Sequence, residues 1–256
     1  MLSIAHGARN YLKYAGNPPA VRLSILNMRA LCFLTLAALA VPPYAHAAAP
    51  GHPCVEDFAD VAALTAQGWS IRNRSDPVGG RAWRQGDTSV FTSWDGAPDA
   101  YAAADGNSLK EWPGVISVWL VTPVIDFGPN SISARAFDFQ ARAVPGVANR
   151  LVVRQCLTSE DEACDVPVEG IGGFTTTLIE INPDLNVAGF PEVWTYYIAT
   201  PGDGLATVGT GRIAFHYSIP IQPDGSHGSY IGVDSAEMIG ATTCPFGEIV
   251  FENGFD

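Results

Sequence analysis

The chain has 256 residues and a formal net charge of −12, from 26 acidic and 14 basic side chains. Arg9, Lys13, Arg22 and Arg29 lie in the first 47 positions, which hold no acid, so the remainder carries a formal charge of −16. A surface of that sign repels phosphate backbones, which makes nucleic acid a poor partner.

Residues 1–27 precede a second methionine, Met28, and read as an upstream extension from a misplaced start codon. Residues 28–47 have the pattern of a secretory signal peptide: Arg29, the apolar run Ala30 to Val41, then Ala45-His46-Ala47 before a cleavage point near Ala47. The run is shorter than the roughly 20 residues of a bilayer-spanning helix, and Pro42 and Pro43 stop it, so no transmembrane anchor is expected. The expected location is extracellular, periplasmic or on the cell surface. About 209 residues remain, a usual size for one domain with a real core.

In the mature part the one helical pattern is Asp60 to Gly68. Extended segments follow at 89–94, 100–104, 117–125, 133–143, 150–156, 174–181, 194–200, 211–219 and 230–239, separated by Gly, Pro, Asn and Asp. Several alternate: Phe137, Phe139 and Ala141 oppose Asp138 and Gln140, so one face is apolar and the other mixed. Stacked antiparallel sheets with long Pro-containing crossovers give an all-β, jelly-roll-like antiparallel sandwich, a single domain over residues 48–240, with a tail at 241–256.

Cys32 leaves with the leader, and Cys54, Cys156, Cys164 and Cys244 remain as an even set in an oxidising compartment. Of the three pairings the favoured one joins Cys156 to Cys164, across a short acidic loop, and Cys54 to Cys244, tying the first strand to the end of the last. On chain entropy these are worth about 2.6 and about 5 kcal/mol. The spacing lacks the Cys-x-x-Cys pair of a zinc site.

The segments from Glu56 to Met238, among them Glu56 to Gly86, Asp99 to Ala104, Ser117 to Asp126 and Gly172 to Tyr197, occur in the order of the choice-of-anchor J domain, which they resemble. More distantly the chain is similar to the cleaved-adhesin domain. The resemblance implies a bacterial secreted or surface-displayed jelly-roll module, often with a structural calcium and without an established reaction. His216 stands where that family usually has Arg, and the Cys156–Cys164 loop replaces a plainer turn. The ending also lacks the hydrophobic anchor helix of that family; it resembles an aromatic-glycine export or sorting tag.

For calcium, which needs six to eight oxygens, the candidates are Glu56 and Asp57 on the first strand and Asp234 on the last. No catalytic residue is expected: no His-Glu-x-x-His or Gly-x-Ser-x-Gly motif is present, and the Glu160, Asp161, Glu162 cluster reads as a solvated loop. If Ile213, Phe215 and Tyr217 face the core, His216 faces the other way, toward a ligand. Trp69 and Trp119 read as buried, whereas Trp94 and Trp112, beside Gly- and Pro-containing loops, are candidates for stacking on sugars. The function expected is a non-catalytic binding or adhesion module for a glycan or a cell-surface protein. The alternatives are a carbohydrate-active hydrolase and a structural matrix component.

Overall fold

The computed structural model describes residues 54–128, 135–158, 163–222, 228–241, 244 and 246, all within the compact unit Ala45–Asp256. The leader, His52, Glu160 to Glu162, His227 and the tail beyond Phe246 lie outside the described residues. Among the described residues no helix is long and apolar enough to cross a membrane.

Among the described residues, twelve strands form two antiparallel sheets. They are β1 (Val55–Glu56), β2 (Ser70–Asn73), β3 (Arg84–Gln85), β4 (Ala102–Asp105), β5 (Ile116–Val121), β6 (Ile125–Gly128), β7 (Ala136–Ala143), β8 (Leu151–Leu157), β9 (Thr176–Ile181), β10 (Thr195–Ala199), β11 (Gly209–Ile219) and β12 (Tyr230–Ile239). The first sheet runs β10-β7-β12-β4-β3, with β1 also on β12; the second runs β2-β5-β11-β8-β9, with β6 also on β11. Apart from β3 with β4 and β8 with β9, neighbours in the sheets are not consecutive in the chain, which is the crossover pattern of a sandwich.

The alternation read from the sequence sets the layers. Phe137, Phe139 and Ala141 of β7 and Ile213, Phe215 and Tyr217 of β11 face inward and are fully buried in the main core. Phe139 meets Phe215 edge to face at 5.0 Å between centroids. Two smaller apolar clusters sit on the outer faces. Trp119, Val121, Ala214 and Phe174, with the Cys156–Cys164 bond, lie on the second sheet, and Phe91, Tyr101, Ala103 and Tyr230 lie on the first.

The structure bonds Cys54 to Cys244 and Cys156 to Cys164. The first bond spans neighbouring strands, because β1 pairs antiparallel with β12 and the Met238 amide donates to the Cys54 carbonyl.

Three expectations are corrected. Residues 89–94 form a loop, because Asp87 turns the chain by accepting the Ser89 amide on Oδ1 and the Val90 amide on its carbonyl. Residues 117–125 break into β5 and β6 at Thr122 and Pro123. Pro123 has no amide to donate, and Thr122 Oγ1 accepts the Ile213 amide at 3.0 Å. Residues 60–68 are turns ending in a single 3-10 turn, Leu64–Gln67, which Gly68 closes at φ +92°.

Candidate functional site

A cleft on the outer face of the second sheet encloses about 620 Å³. One wall is Asn73 to Asp76 with Val78, the other is Val168 to Ile171, and Ser117, His216 and Ser218 form the floor. Strand register assembles the floor. Ser117 of β5 pairs with Ser218 of β11. On either side the Arg74 amide donates to the Ser117 carbonyl at 2.7 Å and the Ser218 amide to the Arg150 carbonyl at 3.2 Å. Arg74, one residue past β2, Ser117, Ser218 and Arg150, one residue before β8, therefore form a row on the face opposite the core.

His216 lies one row away and is 4 % exposed. Its ring stacks on Trp119 at 3.7 Å between centroids and an interplanar angle of 15°. Arg154 Nε donates to His216 Nδ1 at 3.4 Å. A guanidinium has no acceptor, so the imidazole proton sits on Nε2 and is donated to Ser117 Oγ at 3.0 Å. Trp119 Nε1 donates to the same oxygen at 3.0 Å. Burial, then the charges of Arg154 and Arg150, hold the His216 pKa well below the usual imidazole range, so the ring is neutral. With both nitrogens engaged it serves as a wedge for the floor and is not a free general base.

A second cleft of about 500 Å³ is lined by Leu109, Glu111, Trp112, Asn107, Val144 and Tyr230. Trp112 is half-buried there and packs against the main core. Trp94 is 56 % exposed, in the loop over the first sheet. Trp69 and Trp119 are buried. The three ligand candidates thus fall in three places, and only His216 lies beside the larger cleft.

The carboxylates expected to hold calcium are not drawn together as one group. Glu56 pairs with Ala236, whose side chain is in the core, and its Oε1 accepts the Phe58 amide at 2.9 Å. Burial lifts its pKa to about 7, with a smaller upward push from Asp57. Asp57 is exposed and accepts the Ala59 amide. Asp234 faces outward in β12, fully buried beneath the 87–99 loop, and its Oδ2 accepts the Trp94 amide at 2.7 Å and the Asp95 amide at 3.3 Å. Burial raises its pKa to about 6. Among the described residues no three His, Cys, Asp or Glu side chains form a group able to hold a metal ion. The two accepted amides give Asp234 a structural task, which is to anchor the loop.

No protein-family model matches the chain, and no curated protein matches it. Among the solved structures similar to the chain are these three. One is the K2 cleaved adhesin domain of Lys-gingipain, at 14 % identity and TM-score 0.44, over 72 % of this chain and 96 % of that one. Another comes from carbohydrate-binding modules of the β-sandwich superfamily, at 8 % identity and TM-score 0.39, over 72 % of this chain and 60 % of that one. The third is the enzymatically active domain of tailspike protein 4 of bacteriophage CBA120, at 11 % identity and TM-score 0.34, over 73 % of this chain and 21 % of that one. At such TM-scores none of them carries a ligand or an activity over to this chain.

Proposed function

We propose that this chain is a secreted or surface-displayed, non-catalytic binding module of the choice-of-anchor J kind, and that it takes a glycan in the cleft above His216. The observation that supports the reading most is the cleft itself. Its volume suits a few sugar rings, its Ser, Asn, Asp and Glu side chains match ring hydroxyls, and Val78, Val115, Val168 and Ile171 offer apolar contact. The stacked Trp119 and His216 make its floor rigid before a ligand arrives, which lowers the cost of binding. Ser117 has no free base to make it a nucleophile, since the imidazole beside it has both nitrogens occupied. A glycan array probed with the purified mature chain tests the reading: retention of any glycan, lost on blocking the cleft with Ser218→Trp, supports it. An array without binding, or binding unchanged by that substitution, overturns it.

A hydrolase is the second reading, favoured by one pair on the other sheet. Asp138 and Glu237 are register partners, and burial raises the pKa of each, as suits a general acid. Turnover of a polysaccharide that Glu237→Gln abolishes would support it.

A structural calcium is a separate proposal, resting on the family resemblance. Its test is a melt with and without chelator: a fall in Tm on chelation supports bound calcium, and an unchanged melt removes it.

A further inference from the structure

The floor of the cleft above His216 has more hydrogen-bond donors than acceptors. Ser117 Oγ receives protons from Trp119 Nε1 and His216 Nε2, which fill its two acceptor positions and leave its own O–H to be given away. Ser218 Oγ receives a proton from Arg150 Nη2 at 3.0 Å and is also left with a hydrogen to donate. Arg74, beside Ser117 in the same row, has a buried Nε without a partner, and its Nη2 reaches only the Val166 carbonyl at 3.4 Å. Ser117 and Ser218, each with a hydroxyl hydrogen to give, and Arg74 line one cleft, and its carboxylates, Asp76 and Glu169, stand exposed on the walls.

A buried donor without an acceptor, as Arg74 Nε is, costs free energy, and a planar anion with two acceptor oxygens would take that donor together with the two hydroxyl hydrogens. We infer that the cleft above His216 is a carboxylate seat and that the glycan it takes carries uronic-acid groups; this deepens the glycan-binding reading of the same cleft and rests on it. The carboxylate lies along the Arg74 edge and accepts from Ser117 and Ser218, while Asp76 and Glu169 accept from the ring hydroxyls around it. Arg154 and His216 act as positioning residues: by fixing the imidazole tautomer they force the Ser117 proton into the cleft. Nucleic acid fits the same face poorly, because Trp119 and Phe174, the aromatic rings of its apolar cluster, are fully buried and offer bases no stacking platform.

The test is calorimetric titration of the mature chain, in chelator, with an oligogalacturonate, its methyl ester and dextran sulfate. The free acid is expected to bind at least about tenfold more tightly than the ester, with Arg74→Gln and Ser218→Ala each erasing about tenfold of its affinity. Arg81→Gln, whose guanidinium pairs with Asp105 of the first sheet, removes one charge away from the cleft and is expected to leave binding unchanged. Ser117→Ala strands the Trp119 and His216 protons and is read only if it melts like the parent; the other two variants do not depend on it. Equal binding of acid and ester, or unaltered binding by Arg74→Gln, overturns the carboxylate seat while leaving a neutral glycan in the cleft. Dextran sulfate bound more tightly than the uronate overturns it in favour of a sulfate seat. Failure of every glycan to bind removes the glycan-binding reading as well.

Discussion

The two outer faces of this sandwich have the same architecture and opposite chemistry. On the first sheet, the 87–99 loop is clamped down by aromatic rings: Phe91 stacks on Tyr101 at 5.0 Å and meets Tyr230 and Trp194 edge on. The Asp87 amide lies between the Tyr101 and Tyr230 hydroxyls, and Asp234 takes the Trp94 and Asp95 amides from below. Gly232 makes room for this, since a Cβ there would lie 2.9 Å from both Phe91 and Tyr101. The covering of the second sheet, residues 164–174, holds its own apolar cluster but leaves depressions on either side. Arg72, Arg74 and Arg212 line those depressions, and Arg150 and Arg154 stand beside them. One face is covered by its loop, apart from the Trp112 cleft at its side, and works for stability; the other stays open, with polar groups unspent, and works for binding.

The largest expected effects separate the two faces. Phe91→Ala and Trp119→Ala each delete a buried ring and should each cost about 3–5 kcal/mol in denaturant unfolding. Folded Phe91→Ala protein should bind its glycan like the parent, whereas Trp119→Ala removes the support of His216 and should lose binding. Parallel loss in both variants would erase the distinction between the faces. Replacing Cys156 and Cys164 together by Ser is next, with about 2.6 kcal/mol of stability lost on chain entropy and weaker binding, because the bond ties down one end of the 164–174 covering.

Acidity acts mainly away from the open cleft. The folded pKa values of Glu56, about 7, and Asp234, about 6, lie above their usual 4.5 and 3.8, so the native state holds these protons more tightly than the unfolded chain. The stability that they confer is complete below the usual values and is lost as pH rises through the folded ones. In chelator, the free energy of unfolding should therefore fall between pH 5 and pH 8, by on the order of 2 kcal/mol from Glu56, and Tm with it. Glu56→Gln should flatten this fall and melt above the parent at pH 8; a parent-like slope would contradict it. Glycan affinity over the same range should not follow His216, which stays neutral. The smallest effect is that of Tyr230→Phe, about 1 kcal/mol in the melt, because the Asp87 amide retains the Tyr101 hydroxyl.

Much of the fold could be read from local pattern. The alternation Phe137-Phe139-Ala141 assigned a core face, and the same period-2 logic turned His216 outward, where the structure has it. Residues 89–94 misled because Ser, Val, Phe and Thr are good strand formers, while the Asp87 turn and the ring clamp that override them are tertiary. β2 and β3 went unread because they are short and polar. The candidate site was legible only at His216. Its floor joins Ser117 of β5 to His216 and Ser218 of β11 by register, with Arg74 and Arg150 at either side, and no spacing along the chain encodes register between strands so far apart. Arg74 and Ser117 carry no motif; what marks them is a donor surplus that exists only after folding.

The division between the faces is tested most directly by amide hydrogen exchange with and without a saturating oligogalacturonate. Protection is expected in residues 73–78, in β5 and β11 around Ser117 and Ser218, and in 164–174, with exchange in the 87–99 loop unchanged. Protection confined to the 87–99 loop or to the Trp112 cleft, with the His216 cleft exchanging as before, would contradict it.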